Sequence, residues 1–141
     1  MMKLLISIIL LGFSNLLQAD TLVIVNAQNP ISRMEHKQVV DLFMGRSSVF
    51  PDRQPAQTLD LKAGTPVRAS FYKTLTGKSE AQVDAYWATL VFAGRMSPPK
   101  QLTDEQQVIA EVAANPSAIA YVNRQPLPAS VKIVMELNTP E

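Results

Sequence analysis

Three glycines and one Asn-Pro step punctuate this chain, at Gly45, Gly77, Gly94 and Asn115-Pro116, and each follows a stretch of apolar residues at helical spacing. Such stops cut the sequence into four short helices. The first is expected over about Arg33 to Met44, capped by Ser32, with Val39, Val40, Leu42 and Phe43 on one face. The second opens at Pro66, which suits a first helical turn, and carries Val67, Phe71 and Leu75. Ser79 with Gln82 forms a capping box for the third, whose stripe is Val83, Tyr86, Trp87, Leu90 and Val91. Thr103 with Gln106 would do the same for the fourth, which runs through Val108, Ile109 and Val112.

Between these helices lie runs of strand character. Thr21 to Val25 is continuously apolar and β-branched, as a strand buried on both faces must be, and so predicts a central strand. Thr58 to Leu61 reads as a short strand and Ala118 to Val122 as another buried one. Val131 to Leu137 alternates, and Pro126 and Pro128 ahead of it predict a place at the sheet edge. Arg95 to Gln101, with Pro98 and Pro99, reads as a loop. Strands interleaved with helices predict an α/β fold, a single three-layer-like sandwich with a mixed β-sheet flanked by helices. At 141 residues there is room for one domain.

The N-terminus has the layout of a secretory signal peptide. Lys3 precedes a short apolar run from Leu4 to Phe13, and Ser14, Asn15 and Gln18 lead to a cleavage point after Ala19. Residues 1–19 are therefore expected to be removed on export, leaving 20–141 as the mature domain. The run is short for a membrane span. With no cysteine, the chain has no disulfide, thiolate metal site or thiol nucleophile. A net charge of +1 gives no field that would collect nucleic acid.

His36 is the one histidine and sits beside Glu35 and Lys37, a solvated setting unsuited to a catalytic triad. Asp41, Asp52, Asp60, Asp84, Asp104 and Glu105 are available as acids, but helix starts and turns account for several of them. No metal or nucleotide motif is present, so neither an enzyme nor a cofactor is expected. Tyr86, Trp87, Phe92 and Phe71 have the spacing of a core stripe.

The segment Lys62 to Arg68 carries the strongest candidate chemistry. Gly64 and Thr65 at a helix start offer backbone N–H groups, a hydroxyl and the positive helix end to an oxyanion. Arg68 could grip a phosphate, sulfate or carboxylate through two parallel hydrogen bonds, with Lys62 as a flanking charge. A plain helix cap is the competing reading. Arg95, in an exposed loop after Gly94, is a secondary candidate for contact with a ligand or partner.

An ordered set of motifs spans the mature chain: Val40-Asp41-Leu42-Phe43-Met44-Gly45-Arg46, then Gly64-Thr65-Pro66-Val67-Arg68-Ala69-Ser70-Phe71, then Tyr86-Trp87 and Phe92-Ala93-Gly94-Arg95, and finally Ala118-Ile119-Ala120-Tyr121-Val122. In combination they resemble the phosphate-binding periplasmic proteins of ABC transporters, and more narrowly their short single-domain relatives. The resemblance implies one lobe of a periplasmic binding protein, a periplasmic location, and binding of phosphate or a similar oxyanion at Gly64, Thr65 and Arg68. Ala63 stands where the family has the Ser of Ser-Gly-Thr, and Ala120 where it has a second Gly. The length supplies one lobe, and an anion held by a single jaw stays half solvated, where each hydrogen bond is weaker. A second expectation is therefore kept open: a ligand-free module docking to a membrane transporter, sensor or other envelope partner, or pairing as a homodimer.

Overall fold

The computed structural model describes residues 20–138, so the expected signal peptide lies outside the described residues. Among the described residues nine elements follow one another: β1 (Thr21–Asn26), α1 (His36–Phe43), β2 (Gln57–Leu61), α2 (Pro66–Thr76), α3 (Glu80–Phe92), β3 (Lys100–Leu102), α4 (Glu105–Ala114), β4 (Ala118–Asn123) and β5 (Val131–Leu137). The five strands form one mixed sheet in the order β3-β2-β4-β1-β5. β2 runs parallel to β3 and β4, while β1 is antiparallel to both β4 and β5.

Each position follows from what the strand can bury. All six residues of β1 and the first five of β4 are buried, so these apolar runs take the interior of the sheet. β5 lies at one edge, as the prolines ahead of it predict, but the expected alternation is not seen: Val131, Val134 and Leu137 are its buried residues, at every third position, and its pairing with β1 shifts register at Val23/Ile24. Helices α2 and α4 each pack against β1, β2 and β4. The expected α/β class, with helices flanking a mixed sheet, is the observed one.

Three further local readings are corrected. The first helix begins at His36, not Arg33, because Met34 N–H donates to Val134 O and ties that segment to β5 in extended form. Its cap is Glu35, in a reciprocal box with Gln38, in place of Ser32. The fourth helix is capped one residue later than Thr103, by Asp104, whose carboxylate accepts from Gln107 N–H at 2.9 Å. The loop through Gln101 contains the start of β3; this three-residue edge strand has no pattern of its own and exists through its pairing with β2.

The other stops behave as read. Gly77 closes α2 in the left-handed conformation, and Ser79 and Gln82 form the capping box of α3. The aromatic core lies between α1, α2 and β4. Phe71 stacks on Tyr121 with centroids 3.7 Å apart, and Phe43 meets Phe71 edge-on at 4.9 Å. Tyr86 and Trp87 stay against this core, but Val91 is half exposed and Phe92 is 95% exposed, so the expected stripe ends before them.

Candidate functional site

β2 delivers an aspartate into the interior. Asp60 lies between Leu59 and Leu61 on a strand whose last three residues are buried, and it is only 3% exposed. A buried carboxylate must be paired and hydrogen-bonded. Tyr72 Oη donates to its Oδ2 at 2.7 Å, Tyr121 Oη donates to its Oδ1, and Leu61 N–H donates to Oδ1 at 2.8 Å. The fourth partner is Arg68, whose Nε lies 3.4 Å from the carboxylate.

Arg68 reaches this position because Thr65 caps α2 and Pro66 starts it, which sets Arg68 in the first turn, facing back toward β2. Its guanidinium is then closed off by α3. Nη1 donates to Glu80 Oε1 at 2.9 Å and Nη2 to Asp84 Oδ1 at 3.0 Å, one helical turn apart on the same face. Its Cζ also sits 5.2 Å from the Tyr72 ring centre. Three carboxylates thus surround one guanidinium, and the corner is acidic on balance.

The electrostatics agree with the geometry. Burial alone would favour neutral arginine, but Asp60, Glu80 and Asp84 outweigh it and raise the Arg68 pKa further. Burial, and then the charge of Asp60, push the hydroxyls of Tyr72 and Tyr121 well above the usual tyrosine value, which keeps them neutral donors.

The predicted site residues fall in two places. Gly64, Thr65 and Arg68 come together at the α2 start, but the Gly64 N–H, the Thr65 hydroxyl and the Arg68 guanidinium are engaged internally. Gly64 N–H faces Glu80 Oε1 at 3.3 Å, Thr65 Oγ1 accepts from Arg68 N–H at 3.4 Å, and the Thr65 hydroxyl donates to Lys62 O. Lys62 is exposed beside them, and its backbone N–H bonds to Leu102 O. Arg95 does not join this group: it follows the far end of α3, about 12 Å along the axis from Asp84 at 1.5 Å per residue. His36 is exposed on α1, with Nε2 2.8 Å from Leu75 O.

Sequence reasoning missed the heart of the cluster, Asp60 with Tyr72 and Tyr121, and the closing pair Glu80 and Asp84. The available signal was Asp60 itself, a charge between two leucines in a strand ahead of a helix that carries arginine. Among the described residues, no acid or histidine cluster could hold a metal ion, and no helix is long and apolar enough to cross a membrane.

No protein-family model matches this sequence, and no curated protein does. Solved structures do match in fold. A Clostridium perfringens protein described as a phosphate ABC transporter substrate-binding protein, solved with bound phosphate, superposes with a TM-score of 0.66 at 16% identity, covering 82% of this chain and 44% of that one. An ABC-type phosphate transport receptor from Vibrio cholerae gives 0.64 at 16% identity, over 82% and 45% of the two chains. PstS from Borrelia burgdorferi gives 0.63 at 9% identity, over 82% and 46%. This chain therefore spans less than half the length of each, and its α/β domain has the fold of one lobe of the phosphate ABC transporter substrate-binding proteins.

Proposed function

We propose that this chain is an exported, non-enzymatic module of one binding-protein lobe, which works in the periplasm by docking a protein partner of the cell envelope such as a transporter or sensor. The observation that carries this reading is the closure of the Arg68 corner. The guanidinium that would have to grip a free anion is spent on Asp60, Glu80 and Asp84, and Glu80 also takes the Gly64 N–H. An anion approaching from solvent meets carboxylates first.

The outer face of α3 supports docking. Ala81, Ala85, Ala88 and Phe92 recur at spacings of four, three and four and are all exposed, while Val83 and Trp87 on the inner face are buried. A helix apolar on two faces has a second surface to cover. A photo-crosslinking amino acid placed at position 92, in cells that produce the protein, tests this. One discrete adduct is expected from position 92 and none from the exposed turn position 52; an adduct of twice the chain's mass would make the partner a second copy. No adduct from position 92 overturns the docking reading.

A second reading is favoured by the fold shared with phosphate receptors: capture of phosphate or a similar oxyanion at Gly64, Thr65 and Arg68, flanked by Lys62, with Arg95 as an outlying contact. It requires Glu80 and Asp84 to leave Arg68. Calorimetry with inorganic phosphate tests it, and saturable heat that is lost when Thr65 is replaced by Val would support it.

A further inference from the structure

The charges on α3 are divided between its ends. Glu80 and Asp84, at the start, are two of the three carboxylates around the single Arg68 guanidinium, which leaves negative charge in excess there. Asp84 gives Oδ1 to Arg68, and with a side chain 54% exposed it has acceptor capacity left for a donor from outside. The positive charge lies at the other end. Arg95 follows Gly94 just past the helix, is exposed, and forms no ion pair among the described residues. With about 12 Å of helix between Asp84 and Phe92, Arg95 is too far from its own chain's carboxylates to pair with them.

Bulk is divided in the same way. Ala81, Ala85 and Ala88 leave most of the outer face shallow, and Phe92 stands up almost fully exposed at its end, with Val91 half exposed beside it. The face therefore has a hollow and an acidic flank toward one end, and a knob and a cation toward the other. Glu80, Asp84 and Val91, at spacings of four and seven, share one flank of the alanine stripe, and Arg95 follows Val91 by four. A two-fold axis between two antiparallel copies of α3 sets like flanks side by side with their ends reversed, so knob meets hollow and cation meets carboxylate. A parallel pair would bring like charges together.

We propose that the outer face of α3 pairs with the same face of a second copy of this chain. The helices run antiparallel and cross near Ala88, where small side chains permit close approach. Each Phe92 sits over Ala81 and Ala85 of the other copy, and each Arg95 stands beside Asp84 of the other copy. This inference rests on reading that face as a docking surface, and it names the partner.

The chain has no cysteine, so one introduced thiol reports the crossing. Ala88→Cys is expected to give a disulfide-linked dimer under mild oxidation, because residues at the two-fold axis face their own copies, while Asp52→Cys in an exposed turn is not. Sedimentation equilibrium of the purified protein is expected to show a dimer, weakened at least about tenfold by Arg95→Glu through loss of the charge pairs. Arg95 is exposed, so the circular dichroism of that variant should match the wild type. A monomer with no bridging at position 88 overturns the inference. So does a dimer that is not bridged there, which pairs through another surface, and so does equal bridging from positions 88 and 52, which is collision. A bridged dimer indifferent to Arg95→Glu overturns the antiparallel charge pairing. If the protein is monomeric and position 92 still gives a photo-adduct of another mass in cells, the docking reading stands without this partner; if position 92 gives no adduct, both fall.

Discussion

Glu80 bridges the starts of two helices to one another: its Oε1 lies 2.9 Å from Arg68 Nη1 and 3.3 Å from the Gly64 N–H at the start of α2. The carboxylate links the first turn of α3 to the first turn of α2, and Arg68 passes that link inward to Asp60 on β2. The corner is thus a device that joins two helices to the sheet. Arg68→Ala is expected to destabilise the protein severely, because it leaves Asp60 buried without its counter-charge. Removing one partner of a buried pair costs about 3–5 kcal/mol, a large part of a small domain's stability. Urea unfolding followed by circular dichroism measures this, and a midpoint equal to the wild type's would show that Arg68 is no part of the frame.

Glu80 and Asp84 also set the terms for any anion at this corner. The double variant Glu80→Gln, Asp84→Asn keeps the shape of α3 and removes two negative charges beside the guanidinium. If oxyanions can be held here, inorganic phosphate should bind this variant at least about tenfold more tightly than the wild type, a difference of about 1.4 kcal/mol. Calorimetry at low ionic strength reads the two proteins side by side. Equal silence from both would remove the corner as an anion site and leave docking as the function to pursue.

The fold was largely legible because its signals are local. Gly77, Ser79 with Gln82, and the unbroken run from Thr21 to Val25 each state their structural role within a few residues, and all three hold. β3 was not legible, since Lys100 to Leu102 becomes a strand only through β2, about 40 residues earlier in the chain. Phe92 was misplaced for a related reason. Helical spacing shows that α3 has apolar faces, but only the tertiary packing decides which of them meets the core. The Lys62 to Arg68 segment was found, but the partners of Arg68 were not, because Glu80 and Asp84 approach from the following helix and Asp60 from the preceding strand.

The tyrosines give a pH dependence with a definite sign. Burial and Asp60 hold the folded-state pKa values of Tyr72 and Tyr121 above the ordinary value of 10.0. Above about pH 10 the unfolded chain loses these protons while the folded chain keeps them, so stability is complete below that pH and falls as pH rises beyond it. Alkaline unfolding should therefore be cooperative and set in near pH 10. Tyr72→Phe should flatten the pH dependence while lowering stability at neutral pH, where the Asp60 hydrogen bond is lost. Thermal unfolding between pH 7 and 11 separates the two effects, and an identical slope in the variant would exclude Tyr72 as a source.

Gly45 and Gly77 share nearly the same backbone, with φ of +73° and +75°, but differ in their neighbours. Alanine at Gly77 meets nothing within 4 Å among the described residues and should cost only the left-handed backbone penalty, about 1–2 kcal/mol. Alanine at Gly45 bears the same penalty and also drives its Cβ into the Trp87 ring, whose overpacking adds about 1–3 kcal/mol. The two variants should therefore separate in urea midpoint, with Gly45→Ala the less stable. Gly45→Ala alone should shift the emission of Trp87, because the ring has to move. Equal midpoints and unchanged emission would mean that Trp87 yields freely, and the close approach of Gly45 would then not be what fixes the ring.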